Sequence, residues 1–587
     1  MNREAERLLV SILAVGAIAA LFLLRAFDDN RLTSWQWVFA GTNPTRLYVL
    51  AAAGVGLANL LARFTLPARS PAVLFLLACA AAASFWGEPE VIVDAARYFA
   101  EAKYLEVHGL GRFLTEWGRE LPAWTDLPLV PLLYGLLFRL FGEYRICVQA
   151  LTTLLFAGSV VLTHGVGKAL WHDEVGFMAG ALLLAIPYLL TQVPGMLVDI
   201  PTMFFLSLAV FTVIRALRHG GTGRILLASL AVSLTCFTKY SSWLMLSVLP
   251  VAAMVYRRAG APRPLRTASA IGLFAGSLVA AAVLVRRDVW SEQLALLVGY
   301  QAPGLRRWGE SLASTFLFQV HPFLTIAALL SVWLAVRRRD PKYAIVAWPV
   351  LLLLVLQVRR TRYWIPAFPM LALMGAYGLQ AIRTGELRRL VVGCAVASSL
   401  VVAGYGYLPF LRSTSAMNLK KAGEYLDSID EKRVEVFTLP QDSDVNPAVS
   451  VPILDLFTAK ELVYGDNGAA RSSKGRSADS ALRFTWDYKS PGYYAAGGTE
   501  GGSAVVVISG DAGQVLPEHV ANRLKGHRLV AVFAADEGVF RHRTLVSVYR
   551  AAAAMPRRTP HHPGLAHIPR RSRRESSPAV RRCRTDA

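Results

Sequence analysis

Long apolar runs alternate with short polar segments along most of the chain. Runs of roughly 16 to 22 apolar residues recur, and each is long enough to cross the hydrocarbon core of a bilayer as a helix. The runs lie at 8–24, 47–62, 70–86, 146–166, 175–192, 201–217, 224–238, 241–256, 268–285, 313–336, 343–357, 364–382 and 390–410. This pattern predicts a polytopic α-helical membrane protein with about 13 transmembrane helices.

The segment 87–145, between the third run and the fourth, carries a different pattern. In "VIVDAARYFAEAKYLEVHG" apolar and aromatic residues recur at helical spacing, whereas "PLVPLLYGLLFRLFG" is apolar but short for a span and contains two prolines. We expect two amphipathic or partly inserted helices that lie along the membrane interface.

From about residue 411 the composition becomes that of a soluble α/β domain. Segments typical of strands are "RVEVFTL", "ELVYG", "LRFTWDY", "SAVVVISG", "RLVAVFAA" and "TLVSVYR". Segments typical of helices are "NLKKAGEYLDSID", "VPILDLFTAK" and "LPEHVANRLKG". The predicted organisation is extra transmembrane helices at 1–69, a membrane domain at 70–410, an α/β domain at 411–550 with a surface loop at 465–480, and a basic disordered tail at 551–587.

The formal net charge of +22 is distributed in a way that argues against a nucleic-acid partner and for contact with membrane lipids. Basic clusters follow alternate apolar runs, so they fall on one side of the membrane, which the positive-inside rule makes cytoplasmic. The segment 87–145 and everything after residue 410 then lie on the external side. The five cysteines are scattered without metal-ligand spacing, and the chain has no glycine-rich nucleotide-binding loop.

Two carboxylates are expected on the external side at the membrane edge, where an unpaired charge is expensive. Asp94 begins the first interfacial helix, and Asp199 stands in "VPGMLVDIPTMFF", where prolines and a glycine break the helix. Each could simply stabilise a helix N-terminus. The alternative is functional, because carboxylates from two loops on one face can meet over one cavity.

Cations are also expected at this edge. Lys239 interrupts apolar sequence, and "QVRRTRYWIPAFP" brings Arg359, Arg360, Arg362 and Tyr363 to the external side, against the positive-inside bias. Arginine suits a phosphate because its planar fork donates two hydrogen bonds. Contact with lipid headgroups is the other explanation for these cations.

Glu88 and Glu90 flank Pro89 in what reads as a turn, so their side chains are predicted to be solvated. As an alternative, these two residues and Asp94 supply oxygen ligands for a divalent cation, although no recognisable spacing demands a metal.

The order of these features resembles the GT-C membrane glycosyltransferases that use polyprenyl-phosphate sugars, the superfamily of protein O-mannosyltransferases and lipid A aminoarabinose transferases. The resemblance covers about residues 70–410. Its motifs are Asp94 with an aromatic-bearing helix ending in Gly109, Asp126 before a helix ending in Phe-Gly, Arg145 opening the next run, Asp199, Lys239, and the late Arg362, Tyr363, Pro366 and Pro369. Two departures are Ala95 for the family's second acid and Leu127 for its Lys-Pro-Pro lysine.

The resemblance implies an inverting transfer of a hexose or pentose from a polyprenyl-phosphate carrier to a glycan, lipid or protein acceptor on the external face, in a bacterial inner membrane. It implies Asp94 and Asp199 as catalytic residues and Lys239, Arg359, Arg362 and Tyr363 as the donor-phosphate site. Glu88, Glu90 and Asp126 are candidates for acceptor or metal binding, and no cofactor is required with certainty. The alternatives are a flippase or transporter for a lipid-linked glycan and a non-catalytic membrane scaffold.

Overall fold

The structure is a computed structural model that describes most of the chain. It describes residues 3–64, 71–120, 127–304, 309–441, 445–464, 482, 485–486, 490–495, 504–535 and 542–552. The predicted loop at 465–480, the predicted tail from 553 onward and the candidate Asp126 lie outside these residues.

Helices dominate the described residues before residue 428. They are α1 Arg3–Leu23, α2 Trp35–Val38, α3 Pro44–Ala62, α4 Pro71–Ala83, α5 Ile92–Glu116, α6 Leu129–Phe141, α7 Arg145–Leu170, α8 Asp173–Leu183, α9 Pro187–Gln192, α10 Asp199–His219, α11 Thr222–Cys236, α12 Tyr240–Met245, α13 Val248–Arg258, α14 Pro264–Val285, α15 Arg287–Leu296, α16 Ala302–Gly304, α17 Pro322–Arg338, α18 Tyr343–Val355, α19 Phe368–Gly378, α20 Gly385–Val401, α21 Leu408–Arg412 and α22 Ala416–Asp427. A 3₁₀ helix, Thr361–Ala367, precedes α19.

Every predicted span overlaps one helix or two consecutive helices. Six helical segments in the described part of the chain are long and apolar enough to cross a membrane alone, and α4, α6, α11 and α18 are shorter apolar helices. The chain is an integral membrane protein, and the count of about 13 spans stays a prediction.

The basic clusters predicted to be cytoplasmic meet at one end of the helical assembly. Arg388 at the start of α20 lies 2.9 Å from Glu174 at the start of α8, and Lys342 before α18 donates to the carbonyl of Leu170 at the end of α7. Helix α10 has 21 residues, begins with Asp199 and ends at this basic end. At 1.5 Å per residue it is about 30 Å long, so Asp199 lies one hydrocarbon thickness away.

A mixed five-stranded sheet follows α22, in the strand order β2-β1-β3-β5-β4. The strands are β1 Arg433–Thr438, β2 Glu461–Tyr464, β3 Ala504–Ser509, β4 His527–Phe533 and β5 Leu545–Ala551, with helices α23 Ser450–Asp455 and α24 Glu518–Arg523 between them. β1 is parallel to β2 and β3, whereas β5 is antiparallel to β3 and β4. The described residues of "LRFTWDY", which are Leu482, Thr485 and Trp486, are not in a strand, so that prediction is wrong there.

Helix α5 and the sheet belong to one hydrophobic core. Phe99 and Tyr98 of α5, Phe138 of α6, and Val434 and Ile508 of the sheet are buried in the same cluster. Residues 95–102 of α5 are all buried, which corrects the prediction of an amphipathic interfacial helix over this part, whereas Val107, Leu110 and Leu114 further along the helix are exposed. The physical reason is that the C-terminal part of the chain covers the face of α5 that α6 does not.

Polar side chains close this interface beside the core. Lys103 of α5 contacts Glu143 at 3.0 Å and Asp455 at 2.7 Å, and the Tyr494 hydroxyl donates to the same Asp455 oxygen at 2.6 Å. Burial and the neighbouring negative charge of Asp455 raise the pKa of Glu143 to about 7, although Lys103 opposes them. The folded protein therefore holds the Glu143 proton more tightly than the unfolded chain does.

This shift predicts a pH-dependent stability. The contribution of Glu143 is fully present below its ordinary pKa of 4.5 and is lost as the pH rises through about 7. Relative to wild type, Glu143→Gln should therefore gain about 1 to 3 kcal/mol of stability between pH 5 and pH 8. Thermal unfolding of both proteins at the two pH values measures this gain, with Glu461→Gln at an exposed sheet position as control. A difference in Tm that stays constant with pH would contradict the assignment.

Candidate active site

Asp199 reaches the site because the chain breaks twice before it. Helix α8 ends at Leu183 and Pro187 opens α9, and the carbonyl of Ala185 in the first break accepts from the Ser399 hydroxyl at 3.0 Å and from the His321 N–H at 3.3 Å. Non-helical backbone at membrane depth is tolerated only where such partners are supplied. The run predicted as one span at 175–192 is therefore two helices followed by a loop.

The loop 193–198 is fixed by side chains from the 87–145 segment. Glu90 accepts from the Met196 N–H at 2.8 Å and pairs with Arg145 at 2.7 Å, and the Tyr134 hydroxyl donates to the carbonyl of Leu197 at 2.6 Å. Glu90 is buried, so the prediction of a solvated side chain is wrong. The Glu90 carboxylate fixes the loop 193–198, which directly precedes Asp199.

Glu88 is buried as well, which also corrects its predicted exposure. Burial raises the pKa of Glu88 well above its ordinary value, and the nearby charges of Arg145, Arg412 and Lys420 only partly offset it. Arg412 belongs to α21 and Lys420 to α22, so Glu88 lies where these two helices contact the membrane part.

The site itself is a row of alternating charges, which we call the charge row: Arg97, Asp94, Arg362, Asp199 and Lys239. Arg362 Nε lies 2.7 Å from Asp199 Oδ2, and its Nη1 contacts Asp94 Oδ2. Lys239 Nζ lies 2.5 Å from Asp199 Oδ1, and Arg97 Nη2 lies 3.6 Å from Asp94 Oδ1. Residues far apart in sequence, on α5, α10, the break before α12 and the 3₁₀ helix, thus form one cluster.

Burial differs along the charge row. The side chains of Asp199 and Arg362 are 0% and 5% exposed, whereas those of Asp94 and Lys239 are 19% and 21% exposed. A ligand would therefore meet Asp94 and Lys239 first, with the guanidinium of Arg362 behind them.

An aromatic ring extends the positive side of the cluster. The Lys239 ammonium lies 5.3 Å and the Arg360 guanidinium 5.4 Å from the ring centroid of Tyr363. Both distances are within the range of cation–π attraction. Arg360 is buried, whereas Arg359 is exposed.

The cations determine the protonation of Asp94. Burial alone would raise the pKa of this carboxyl, but the positive charges of Arg362, Arg97 and Arg360 outweigh burial and hold it well below its ordinary value. Asp94 is therefore ionised at any pH at which the protein is expected to work.

The structure decides between several alternatives left open by the sequence. Asp199 is the first residue of α10, but both its oxygens contact cations and none caps the helix. The Lys239 ammonium pairs with Asp199 instead of reaching for headgroups. Arg359 is not among the cations around the two aspartates in the described ranges, so we replace it by Arg360 in the cluster.

The sequence also left open a divalent-cation site on Glu88, Glu90 and Asp94. Within the described ranges, no group of three or more His, Cys, Asp or Glu side chains is placed to hold a metal ion. Glu90 is engaged by Arg145 and the Met196 N–H, and Asp94 by two arginines. A divalent cation on Glu90 and Asp94 would have to displace these partners, and the metal site stays a hypothesis.

Arg97 was not singled out by the sequence, and Arg360 was named there among the external cations but not assigned to the phosphate site. Arg97 stands three residues after Asp94 on one helix, a spacing at which side chains are neighbours, so helical periodicity could have found it. Arg360 could not be distinguished from Arg359, because which of two adjacent arginines faces inward depends on the turn before the 3₁₀ helix.

The fold has counterparts among solved structures. The crystal structure of ArnT from Cupriavidus metallidurans bound to undecaprenyl phosphate aligns with a TM-score of 0.50 and 12% identity, over 83% of this chain and 99% of that one. Its apo state aligns with 0.47, 13%, 83% and 99%. The archaeal oligosaccharyltransferase AglB from Archaeoglobus fulgidus, in complex with an inhibitory peptide and a dolichol-phosphate, aligns with 0.43, 10%, 75% and 69%. No protein-family model and no curated protein sequence matches the chain.

The match to the first ArnT structure extends further than the resemblance in sequence. It covers 83% of 587 residues, which is more than residues 70–410, and only 69 residues precede position 70. The structural match must therefore include part of the chain after residue 410, beyond the segment that carries the motifs. The chain has the GT-C fold seen in ArnT, as its sequence motifs implied.

Proposed function

We propose that this protein transfers a sugar from a polyprenyl-phosphate carrier to an acceptor on the external face of the membrane. The observation that carries the proposal is the position of Arg362 between Asp94 and Asp199, with Lys239 beyond, at the end of the helices opposite the basic clusters. Such a site offers a carboxylate that can act as a base and cations that can bind a phosphate in one place. A bacterial inner membrane with its periplasmic side is the location we propose.

In the proposed reaction, Asp94 takes the proton of an acceptor hydroxyl as general base. The acceptor oxygen then forms a bond to the anomeric carbon, and the bond from that carbon to the phosphate oxygen breaks with inversion. The electron pair leaves with the polyprenyl phosphate, whose charge Arg362 and Lys239 stabilise.

Arg362 can serve the phosphate while it holds the two aspartates. A guanidinium has five N–H donors, and the contacts with Asp199 and Asp94 use the Nε and Nη1 atoms. A phosphate bound to Arg362 would offset part of the positive charge that this guanidinium exerts on Asp94. The pKa of Asp94 would then rise toward its ordinary value, and its carboxylate would become a better base.

Asp199 is proposed to position these cations. It is fully buried and paired on both oxygens, so it cannot itself take a proton from an acceptor without losing Lys239 or Arg362. Tyr363 and Lys239 would form the outer part of the phosphate site, with Arg360 buried behind the Tyr363 ring. The ArnT structure with the same fold holds undecaprenyl phosphate, which supports this class of carrier.

The test is label transfer by the purified protein in lipid vesicles. A radiolabelled polyprenyl-phosphate hexose or pentose is supplied with crude envelope as acceptor, and the labelled product names the acceptor class. Transfer by wild type supports the proposal. Movement of the labelled lipid between leaflets without transfer would instead identify a flippase. If folded protein shows neither transfer nor lipid movement, the scaffold alternative is favoured.

A further inference from the structure

The loop between α1 and α2 lies against the segment that carries the site arginines. Asn30 in this loop donates through its amide to the Thr361 hydroxyl at 3.2 Å, and both residues are buried. Thr361 stands between Arg360 and Arg362. The two N-terminal helices, which the sequence placed outside the resemblance, thus reach the site through one side chain.

Thr361 is held at two atoms. Its N–H donates to Glu310 Oε2 at 2.9 Å, and its hydroxyl lies 2.8 Å from that of Thr315 as well as near Asn30. The other Glu310 oxygen accepts from the Arg31 N–H at 3.3 Å, in the same loop as Asn30. Glu310 therefore ties the N-terminal loop and the arginine segment to each other.

The N-terminal loop is itself rigid. Buried Asp28 accepts from the Trp35 N–H at 2.8 Å, the Asn30 N–H at 3.1 Å and the Gln319 amide at 2.9 Å, and it also contacts the Ser314 hydroxyl. A carboxylate with several donors fixes the loop as firmly as an ion pair would.

Asn30 also shapes the loop directly. Its side-chain oxygen accepts from the Leu32 N–H at 2.9 Å and the Thr33 N–H at 2.7 Å. The same side chain therefore closes the turn and holds Thr361.

We propose that Asn30 and Glu310 are positioning residues that fix Arg360 and Arg362 through Thr361, so that the N-terminal helices are part of the catalytic unit. The inference rests on the proposed function only for what the arginines bind. A displacement of about 1 Å at a charge-stabilising group can cost roughly 100-fold in rate, and Arg362 has to meet Asp94, Asp199 and a phosphate together. A threonine held at both N–H and hydroxyl limits such displacement.

Three variants test this in the full chain. Asn30→Ala removes the amide, Thr361→Val removes the hydroxyl at nearly equal volume, and Thr361→Ser restores it. The control is Asn59→Ala, which loosens the same two helices at their other end, where the Asn59 side chain accepts from Arg7 and donates to Ser11. Each protein is measured by amide hydrogen exchange over 358–367 and by binding of polyprenyl phosphate in vesicles.

We expect Asn30→Ala and Thr361→Val to speed exchange over 358–367 and to weaken binding about tenfold or more, while Thr361→Ser and Asn59→Ala stay near wild type. Unchanged exchange and binding in Asn30→Ala, or equal effects from Asn59→Ala, would overturn the proposal. If wild type binds no polyprenyl phosphate, the proposed function fails, whereas the exchange data still decide whether the loop holds the arginines.

Discussion

Asp94→Asn should lower label transfer by about a thousandfold or more, because an amide of the same shape cannot accept the acceptor's proton. The variant should fold, since Arg362 keeps its contact with Asp199. The measurement is the initial rate of transfer at saturating donor, with equal amounts of protein shown to be folded by its thermal transition.

Glu116→Gln is the matched control, since it removes one carboxylate at the far end of the same helix. Its rate should equal that of wild type. The pH profile of the transfer rate is a second check. The pKa of Asp94 is depressed, so this group stays ionised as the pH falls from 8 to 5, and its protonation should not lower the rate over that range. Full activity in Asp94→Asn would show that a group other than Asp94 is the base.

Arg362→Met should abolish transfer and also destabilise the protein. It leaves two carboxylates without their shared cation, and breaking a buried ion pair from one side costs about 3 to 5 kcal/mol. Arg362→Lys should fold better but still lose about 100- to 1000-fold in rate, because one ammonium cannot replace the Nε and Nη1 contacts at once. Transfer rate and Tm are measured together, so that loss of chemistry is separated from loss of fold.

Arg359→Met is the control for this series, as Arg359 is an exposed arginine three positions earlier. Its Tm and rate should change little, since surface substitutions usually stay within about 0.5 kcal/mol. An effect of Arg359→Met as large as that of Arg362→Lys would contradict the placement of Arg360 and Arg362 as the inner arginines.

The sequence predicted the helices well because an apolar run of sufficient length favours a helix in the bilayer whatever its tertiary contacts. It also predicted that Asp94, Asp199, Lys239 and Arg362 lie on one face, since charge at a membrane edge is costly and the topology fixes its side. Which cation pairs with which carboxylate depends on packing between distant helices, so the charge row as such was not predictable.

The errors have the same origin. Glu90 stands beside a proline in a polar stretch, which is typical of a solvated turn, and only the fold brings Arg145 and the Met196 N–H to it. The burial of residues 95–102 in α5 depends on a sheet that begins about 340 residues later in the chain. The local sequence pattern around Glu90 or α5 contains no information about these contacts with distant parts of the chain.

The shared core of α5 and the sheet has a consequence for the order of synthesis. Asp94 is made 268 residues before Arg362, and the 95–102 part of α5 is covered only when the strands near residue 548 have been made. We expect the loop 87–120 to stay open to protease in nascent chains that end at residue 410 and to become resistant at full length. A chain that ends at residue 410 already holds Asp94, Asp199 and Arg362, but it lacks the sheet that packs against α5, so we expect Asp94 to be held in place only after the strands have been made.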